Sequence, residues 1–327
     1  MAIGVGRRQV MSALGGAAFA WPLAARAQPS TLPTIGFLGV DAPVWSAWTA
    51  AFVERLRELR WIEGRSIAIE YRWAEGRPKL VSEFATEFVR VKVDVILTYG
   101  TAVPIVKQAT AVIPIVFAIA QDPVGGGLVA SLAHPGGNVT GLSIQSTDIA
   151  GKRVALLHDL LPRLHRLAIM VDFGNPQPVL EMGEVQAAAR TLGIEVVPLA
   201  VQRAEDIAPA FDTLKGQADA LYVVNDALIN ANRTRIITLA HSARLPTMFN
   251  TKDHVQAGGF MSYGPNYPAL FRRSAEYVDK ILRGTKPGDI AVEQPTKFDL
   301  AINLTTAKAL GLTIPNSFLS LVDDVFE

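Results

Sequence analysis

The side chains of this 327-residue chain that have the chemistry to hold a small molecule stand just after short apolar runs. Tyr99, Gly100, Thr101 and Ala102 follow the run 93–98, and Gln121, Asp122 and Pro123 come shortly after the run 113–117. Phe173 and Asn175 follow 167–172, Asn225 and Asp226 follow 218–224, and Asn250 follows 246–249. Asp41 and Trp45 stand after the first run, 35–40, and Tyr263 lies in the Gly-rich segment 258–264. Asp122 and Asp226 suit an ammonium group, while Trp45, Tyr99, Phe173 and Tyr263 could wall an apolar or aromatic group. The free N–H groups of helices opening from these loops suit a carboxylate. Asn, Asp and Thr are also the residues that cap helices and form turns. Each of them alone therefore carries both readings, and the ligand reading gains weight only from the set.

The motifs of catalysis are missing. A dinucleotide site would show G-x-G-x-x-G at a strand-to-helix turn with an acid about 20 residues later. The first run instead leads into Gly39-Val40-Asp41-Ala42-Pro43, and Gly125-Gly126-Gly127 follows Asp122-Pro123-Val124. No Walker A lysine motif, HExxH or GxSxG occurs. The five histidines (His134, His158, His165, His241, His254) lack metal-ligand spacing, and Glu205-Asp206 reads as a helix first turn, where acids favour the dipole. The chain has no cysteine, which excludes disulfides, thiolate zinc, iron–sulfur clusters, a cysteine nucleophile and a lipoprotein's lipid-bearing cysteine. The sequence thus predicts no catalytic residue, no metal site and no cofactor.

These loops must be positioned by something, and the elements between them are legible. From Thr34 onward β-branched runs alternate with segments of helical period, the pattern of βαβ units whose buried strands read as continuous apolar runs. The spacing predicts strands over 35–40, 67–71, 93–99 and 113–117, with helices over 45–60, 78–91 and 101–110. In the first helix Trp48, Ala51, Phe52, Leu56 and Leu59 form the apolar face. A Gly/Pro-rich stretch, 122–141, bracketing a short helix, is the expected hinge. The alternation then restarts, with strands over 167–172, 194–199, 218–224 and 246–249 and helices over 179–192, 208–215 and 229–243. Runs 94–99 and 219–224 take matching places, each opening on an aspartate. The fold class is α/β, a duplicated doubly wound unit with one lobe per half and its site beyond the carboxyl ends of the strands.

Composition sets the class of partner. Half of the residues are hydrophobic and 19% charged, a globular balance. With 31 basic against 30 acidic residues no basic stripe is available for nucleic acid. Residues 1–27 read as a secretory signal: Arg7-Arg8, an apolar stretch from Val10 to Leu23, and a small-residue cleavage site at Ala25-Arg26-Ala27. Its removal takes away Arg7, Arg8 and Arg26 and no acid, turning a formal charge of +1 into −2. The arginine pair leaves both the general and the twin-arginine export routes open.

Several segments carry a resemblance. Residues 63–76 (Glu63-Gly64-Arg65 through Trp73-Ala74-Glu75-Gly76), Asp122-Pro123-Val124, Leu128 to Leu132, Pro135-Gly136-Gly137-Asn138-Val139-Thr140-Gly141, Gly258 to Gly264, and Gln294-Pro295-Thr296-Lys297-Phe298 through Leu312 together resemble the ABC-transporter substrate-binding proteins of the TrpX-like family. The resemblance runs in order over the chain that follows the signal. Leu59-Arg60-Trp61 and the first loop, 40–45, depart from the family's usual turn and its Ser/Pro-rich loop. What the resemblance implies is a type I periplasmic binding protein architecture: two Rossmann-like lobes with parallel sheets, three crossovers and a ligand cleft between the lobes. It further implies discontinuous lobes, 33–141 with 266–290 and 142–265 with 291–327.

On that basis the chain is expected to be a periplasmic solute-binding protein of an ABC importer and not an enzyme. It would capture an amino acid, aromatic for preference, or a related carboxylate, and present its closed form, as a monomer, to an ABC permease at the inner membrane. Tyr99 to Ala102 and Gln121 to Pro123 would hold the ligand first, with Asn175, Asn225, Asp226 and Asn250 completing the shell on closure. A receptor-coupled ligand-sensing module and a periplasmic enzyme on the same sheet topology are the competing readings. A transcription regulator would need a helix-turn-helix where the signal stands.

Overall fold

The computed structural model describes residues 32–39, 46–144, 149–174, 176–214 and 216–327. The signal segment 1–27, Asp41, Trp45 and Asn175 lie outside the described residues. The chain first lays down β1 (Thr34–Gly39), α1 (Ser46–Glu58), β2 (Ala68–Trp73), α2 (Pro78–Val91) and β3 (Val95–Thr98), then α3 (Ala102–Ala109), β4 (Ile115–Ala120) and β5 (Val139–Ser143). These strands form one parallel sheet in the order β2-β1-β3-β4-β5. Every residue of β3 and β4 is buried, which requires cover on both faces and explains why they read as unbroken apolar runs. Gly36 lets α2 settle directly on β1, because a methyl there would stand 2.7 Å from the Phe88 ring.

The second sheet is fed by α4 (Ala150–Leu160), β6 (Arg166–Asp172), α5 (Pro176–Thr191), β7 (Glu195–Val201), α6 (Ile207–Thr213), β8 (Ala220–Val223), α7 (Ala227–Ala231) and α8 (Arg233–Ser242). It continues through β9 (Thr247–Phe249), α9 (Lys252–Gln256) and β10 (Met261–Pro265). After α10 (Tyr267–Leu282) come β11 (Phe298–Asn303), α11 (Leu304–Ala309), α12 (Asn316–Leu319) and β12 (Asp324–Phe326). The strand order is β12-β11-β10-β9-β8-β6-β7, so β7-β6-β8-β9-β10 repeats the first sheet strand for strand. The paired aspartates have the same structural task in each copy. Asp94 accepts from the Thr34 N–H at 2.7 Å, and Asp219 from those of His165 and Arg166 at 2.9 and 2.8 Å, each tying down the start of the neighbouring strand.

The helix α10 leaves the second sheet and packs on α1, carrying Tyr267, Phe271, Tyr277 and Val278 into the core of the first. The returning chain runs beside β5, where the Ser143 N–H donates to the Glu293 carbonyl at 2.9 Å, before it enters β11. Because it re-enters the second sheet from the side by which it left, β11 runs antiparallel to β10. The second sheet is therefore mixed, where parallel pairing was expected throughout.

Three further expectations change. The Gly/Pro-rich stretch does not part the two sheets: it holds turns at 123–127 and no helix, and it ends in β5, the edge strand of the first sheet. Only two of the five β5 residues are strongly apolar, so the strand comes from its register with β4 (Ile115 opposite Val139) and not from its own period. The single helix expected over 229–243 is two, α7 and α8, divided at Asn232. Among the described residues no helix is long and apolar enough to cross a membrane.

Candidate functional site

The carboxyl ends of both sheets face one cavity of about 470 Å³. On the first lobe β3 ends in Tyr99-Gly100-Thr101, where Gly100 takes φ +59° and its N–H donates to the Ile119 carbonyl at 2.9 Å. That left-handed turn suits glycine, and it aims the start of α3 at the cavity. Thr101 precedes α3 without a side-chain cap; the Val103 N–H donates to the Gly100 carbonyl at 3.2 Å and Pro104 has none, which leaves the Thr101 hydroxyl and the Thr101 and Ala102 N–H groups for another acceptor. Trp48 lies parallel to Tyr267 with ring centroids 4.8 Å apart, and Tyr99 meets the edge of Trp48 at 6.4 Å and of Phe271 at 5.3 Å. Ile105, Ile119 and Leu128 complete an apolar, aromatic wall.

The second lobe supplies the polar wall: Asp172, Gly174, Gln202, Asn225, Asp226 and Asn230. Asp172 ends β6 and Asn225-Asp226 follow β8, the adjacent strand, whose register sets Met170 opposite Val223 and so brings the two acids to neighbouring strand tips. Asp172 accepts from the Gly174 N–H at 2.7 Å, and Asp226 caps α7 by accepting from the Leu228 N–H at 2.8 Å. Burial, and then the Asp226 carboxylate beside it, hold the Asp172 carboxyl above the usual aspartate range against that backbone hydrogen bond. The Oδ1 atoms of Asn225 and Asn230 and the Tyr267 hydroxyl are buried with no hydrogen-bond partner among the described residues. Burial pushes the Tyr267 phenol up, so it stays neutral. Gln121 bridges the lobes, its Nε2 donating to the Asn225 carbonyl at 3.2 Å.

Seven of the residues expected from sequence line this cavity: Tyr99, Gly100, Thr101, Gln121, Asp122, Asn225 and Asp226. The Asp122 carboxylate already accepts from the Gly125 N–H at 2.8 Å and shapes a turn. Ala102 is buried in the first core, and the Pro123 carbonyl closes the turn to Leu128 and Val129; neither lines the cavity. Phe173 turns outward at 39% exposure. Asn250 is buried at the end of β9 away from the cavity, and Tyr263, mid-strand in β10, stacks on Phe298 at 5.8 Å. Trp48, Asp172, Gln202, Asn230 and Tyr267 line the cavity without having been singled out. Asp172 was visible as the polar end of an apolar strand, whereas Trp48 hid among the core positions of its helix and Tyr267 stands at the start of a helix, not in a loop after a strand of the first half.

A larger concavity, about 960 Å³, lies at the opposite edge of the second sheet, among Leu164, Ala218 and Pro246 where strands begin. Ligand sites of open α/β sheets lie at the other end. Among the described residues no group of three or more His, Asp or Glu could hold a metal ion.

The architecture is that of type I periplasmic binding proteins. The chain is similar to the tyrosine-binding protein of Clostridioides difficile (strain R20291), 27% identical over 84% of this chain and 79% of that one. It is also similar to a Streptococcus pneumoniae ABC domain solved in complex with L-Trp, with 26% identity, TM-score 0.82, and coverage of 89% of this chain and 100% of that one. The ligand-free, open structure of a Clostridium difficile substrate binding protein with adhesive properties is equally identical, 26%, over 90% of this chain and 99% of that one, yet superimposes less well, with TM-score 0.67. The bridge from Gln121 to Asn225 fits that ranking, since it can form only with the lobes drawn together. The family model for ABC transporter substrate binding proteins matches residues 39–326, and the chain belongs to that family of binding proteins.

Proposed function

We propose that this protein is exported to the periplasm with loss of residues 1–27, captures an aromatic amino acid between its lobes, and presents the closed form to an ABC permease. The observation that carries this reading is the pairing of two unlike walls around one cavity: aromatic on the first lobe, acidic and rich in acceptors on the second. A volume of about 470 Å³ suits a small molecule. Stacking on Trp48, Tyr99 and Tyr267 would hold the ring, and the α-ammonium would lie at Asp172 and Asp226. The α-carboxylate would approach Gly100 and Thr101 at the start of α3, where the Thr101 and Ala102 N–H groups favour an anion. Tyr99 to Thr101, Gln121 and Asp122 receive the ligand first, and Asn225 and Asp226 engage it as the lobes close. Closure follows because the ligand binds the closed state better than the open one. The lobes so joined are residues 33–141 with 266–290 and 142–265 with 291–327.

The test is thermal unfolding of the protein, stripped of co-purified ligand, against amino acids, aromatic acids, dicarboxylates, sugars and purines. A shift of several degrees confined to Trp, Tyr or Phe is expected. A shift with sugars or purines instead, or none with any amino acid, overturns the reading.

A further inference from the structure

Among the described residues, the charged side chains that line the cavity are all of one sign, with Arg233 behind them donating to the Asn230 carbonyl at 3.4 Å. Asp122, Asp172 and Asp226 line it, and among the described residues that line it there is no Lys, Arg or His. The buried Arg153 is engaged by Glu181 at 2.8 Å and does not line the cavity, although its charge reaches the phenol of Tyr267, which does. Two unpartnered atoms of the lining have the same character: Asn230 is 8% exposed, and its Oδ1, like that of Asn225, is a buried acceptor without a donor; beside them stands the Tyr267 hydroxyl. The two open amide oxygens call for N–H donors, and the two neighbouring carboxylates, each already accepting a backbone N–H, favour a positive charge. A ligand carboxylate finds the start of α3 and the Tyr267 hydroxyl, and no cation among the described lining residues.

Resting on the amino-acid reading above, we infer that the cleft recognises its ligand through a primary ammonium group and does not require the carboxylate, so that aromatic primary amines are ligands of this site beside the amino acids. Removing the carboxylate leaves a ligand of charge +1 facing a negative wall, and the N–H groups at the start of α3 return to water. Removing or acylating the amine leaves Asp172, Asp226 and the Asn230 oxygen buried against a group that cannot pair them, the costly direction of the asymmetry. Charge-assisted bonds to these oxygens hold the ammonium.

Titration calorimetry on the ligand-stripped protein decides this with L-tyrosine, tyramine, 3-(4-hydroxyphenyl)propionate and N-acetyl-L-tyrosine, and with the corresponding tryptophan series. Each amine is expected to bind within tenfold of its amino acid, and the deaminated acid and N-acetyl derivative at least 100-fold more weakly. An amine more than 100-fold weaker than its amino acid, or a deaminated acid within tenfold of it, overturns the inference and leaves the amino-acid reading standing. Amines binding where no amino acid does would overturn the amino-acid reading alone, and neither class binding would overturn both. Asp226→Asn keeps a side chain able to cap α7 and should weaken the amine at least 30-fold with its unfolding temperature within two or three degrees of the parent. Unchanged amine affinity in a folded Asp226→Asn contradicts the inference. Asp172→Asn provides the same comparison should Asp226→Asn fail to fold.

Discussion

Two polar clusters of the second lobe share the strand β8 and have opposite accounts. In the interior, Arg153 of α4 donates from Nη1 to Glu181 of α5 at 2.8 Å and to the Tyr222 hydroxyl at 3.0 Å, and that hydroxyl donates to Glu181 at 2.7 Å. Arg153 Nε also donates to the Tyr263 carbonyl at 2.7 Å, binding α4 to β10. Both members of the ion pair are 1% exposed. Four residues beyond Tyr222, at the cavity, Asp226 stands beside Asp172, and the Asn225 and Asn230 oxygens have no donor. A buried polar group with its partners in place holds a fold together. One that lacks them and faces a cavity is waiting for a partner from outside.

The largest effect tests the interior cluster. Arg153→Met leaves the Glu181 carboxylate buried beside a methyl group and should lower unfolding free energy by about 3–5 kcal/mol in urea titrations. Combining it with Glu181→Leu should restore most of that loss, and an equal loss in both proteins would mean that packing and not charge was at stake. For the cleft the effect comes from outside: an aromatic amino acid at 100 times its dissociation constant should add about 2.7 kcal/mol to stability. Asp226→Asn should remove most of that gain.

His254 is a third case, buried at 1% exposure and stacked on Phe249 at 4.7 Å. Burial, with Arg233 adding to it, lowers it to about 3, below the usual 6.5. The folded protein keeps it neutral while the unfolded chain takes a proton, so its contribution is present above pH 6.5 and is lost as pH falls toward about 3. Urea unfolding at pH 7 and pH 5 should differ by about 1–2 kcal/mol from this group, and His254→Gln should flatten the difference.

The smallest effect has the opposite sign. Asp172 has a raised folded value, so its contribution is present below the ordinary aspartate range and is lost as pH rises through the folded value. Once ionised it opposes folding, and Asp172→Asn should stabilise the ligand-free protein at pH values above the folded one, by about 0.5 kcal/mol or less because the cavity is open to solvent. The same change should weaken ligand binding. Stability and affinity moving in opposite directions at Asp172, and stability alone falling at Arg153, would sharpen the contrast; both falling together at Asp172 would break it.

Much of this was legible in the chain. Period and apolar runs located β1, β3, β4, β6, β8 and β9 because strands buried on both faces must be apolar throughout. The matching aspartates 94 and 219 revealed the duplication, and each does the same work at a strand start. Placing the site beyond strand carboxyl ends brought Tyr99, Gln121, Asn225 and Asp226 to the cavity. It also brought Phe173 and Asn250, which do not line it, since a loop's position does not say which way its side chains point. Residues 40–45, 145–148 and Asn175 lie outside the described residues.

The sequence by itself determined the kinds and order of the elements, the repeat and the chemical character of the loops, all consequences of local period and residue type. The resemblance assigns 266–290 to the first lobe; only the tertiary structure decided that α10 sets Tyr267 against Trp48. It also decided that β11 runs antiparallel and that Asp172 meets Asp226. Those facts depend on which strands become neighbours and where the chain crosses between sheets, and contacts between residues so far apart in the chain leave no mark in the period of either segment.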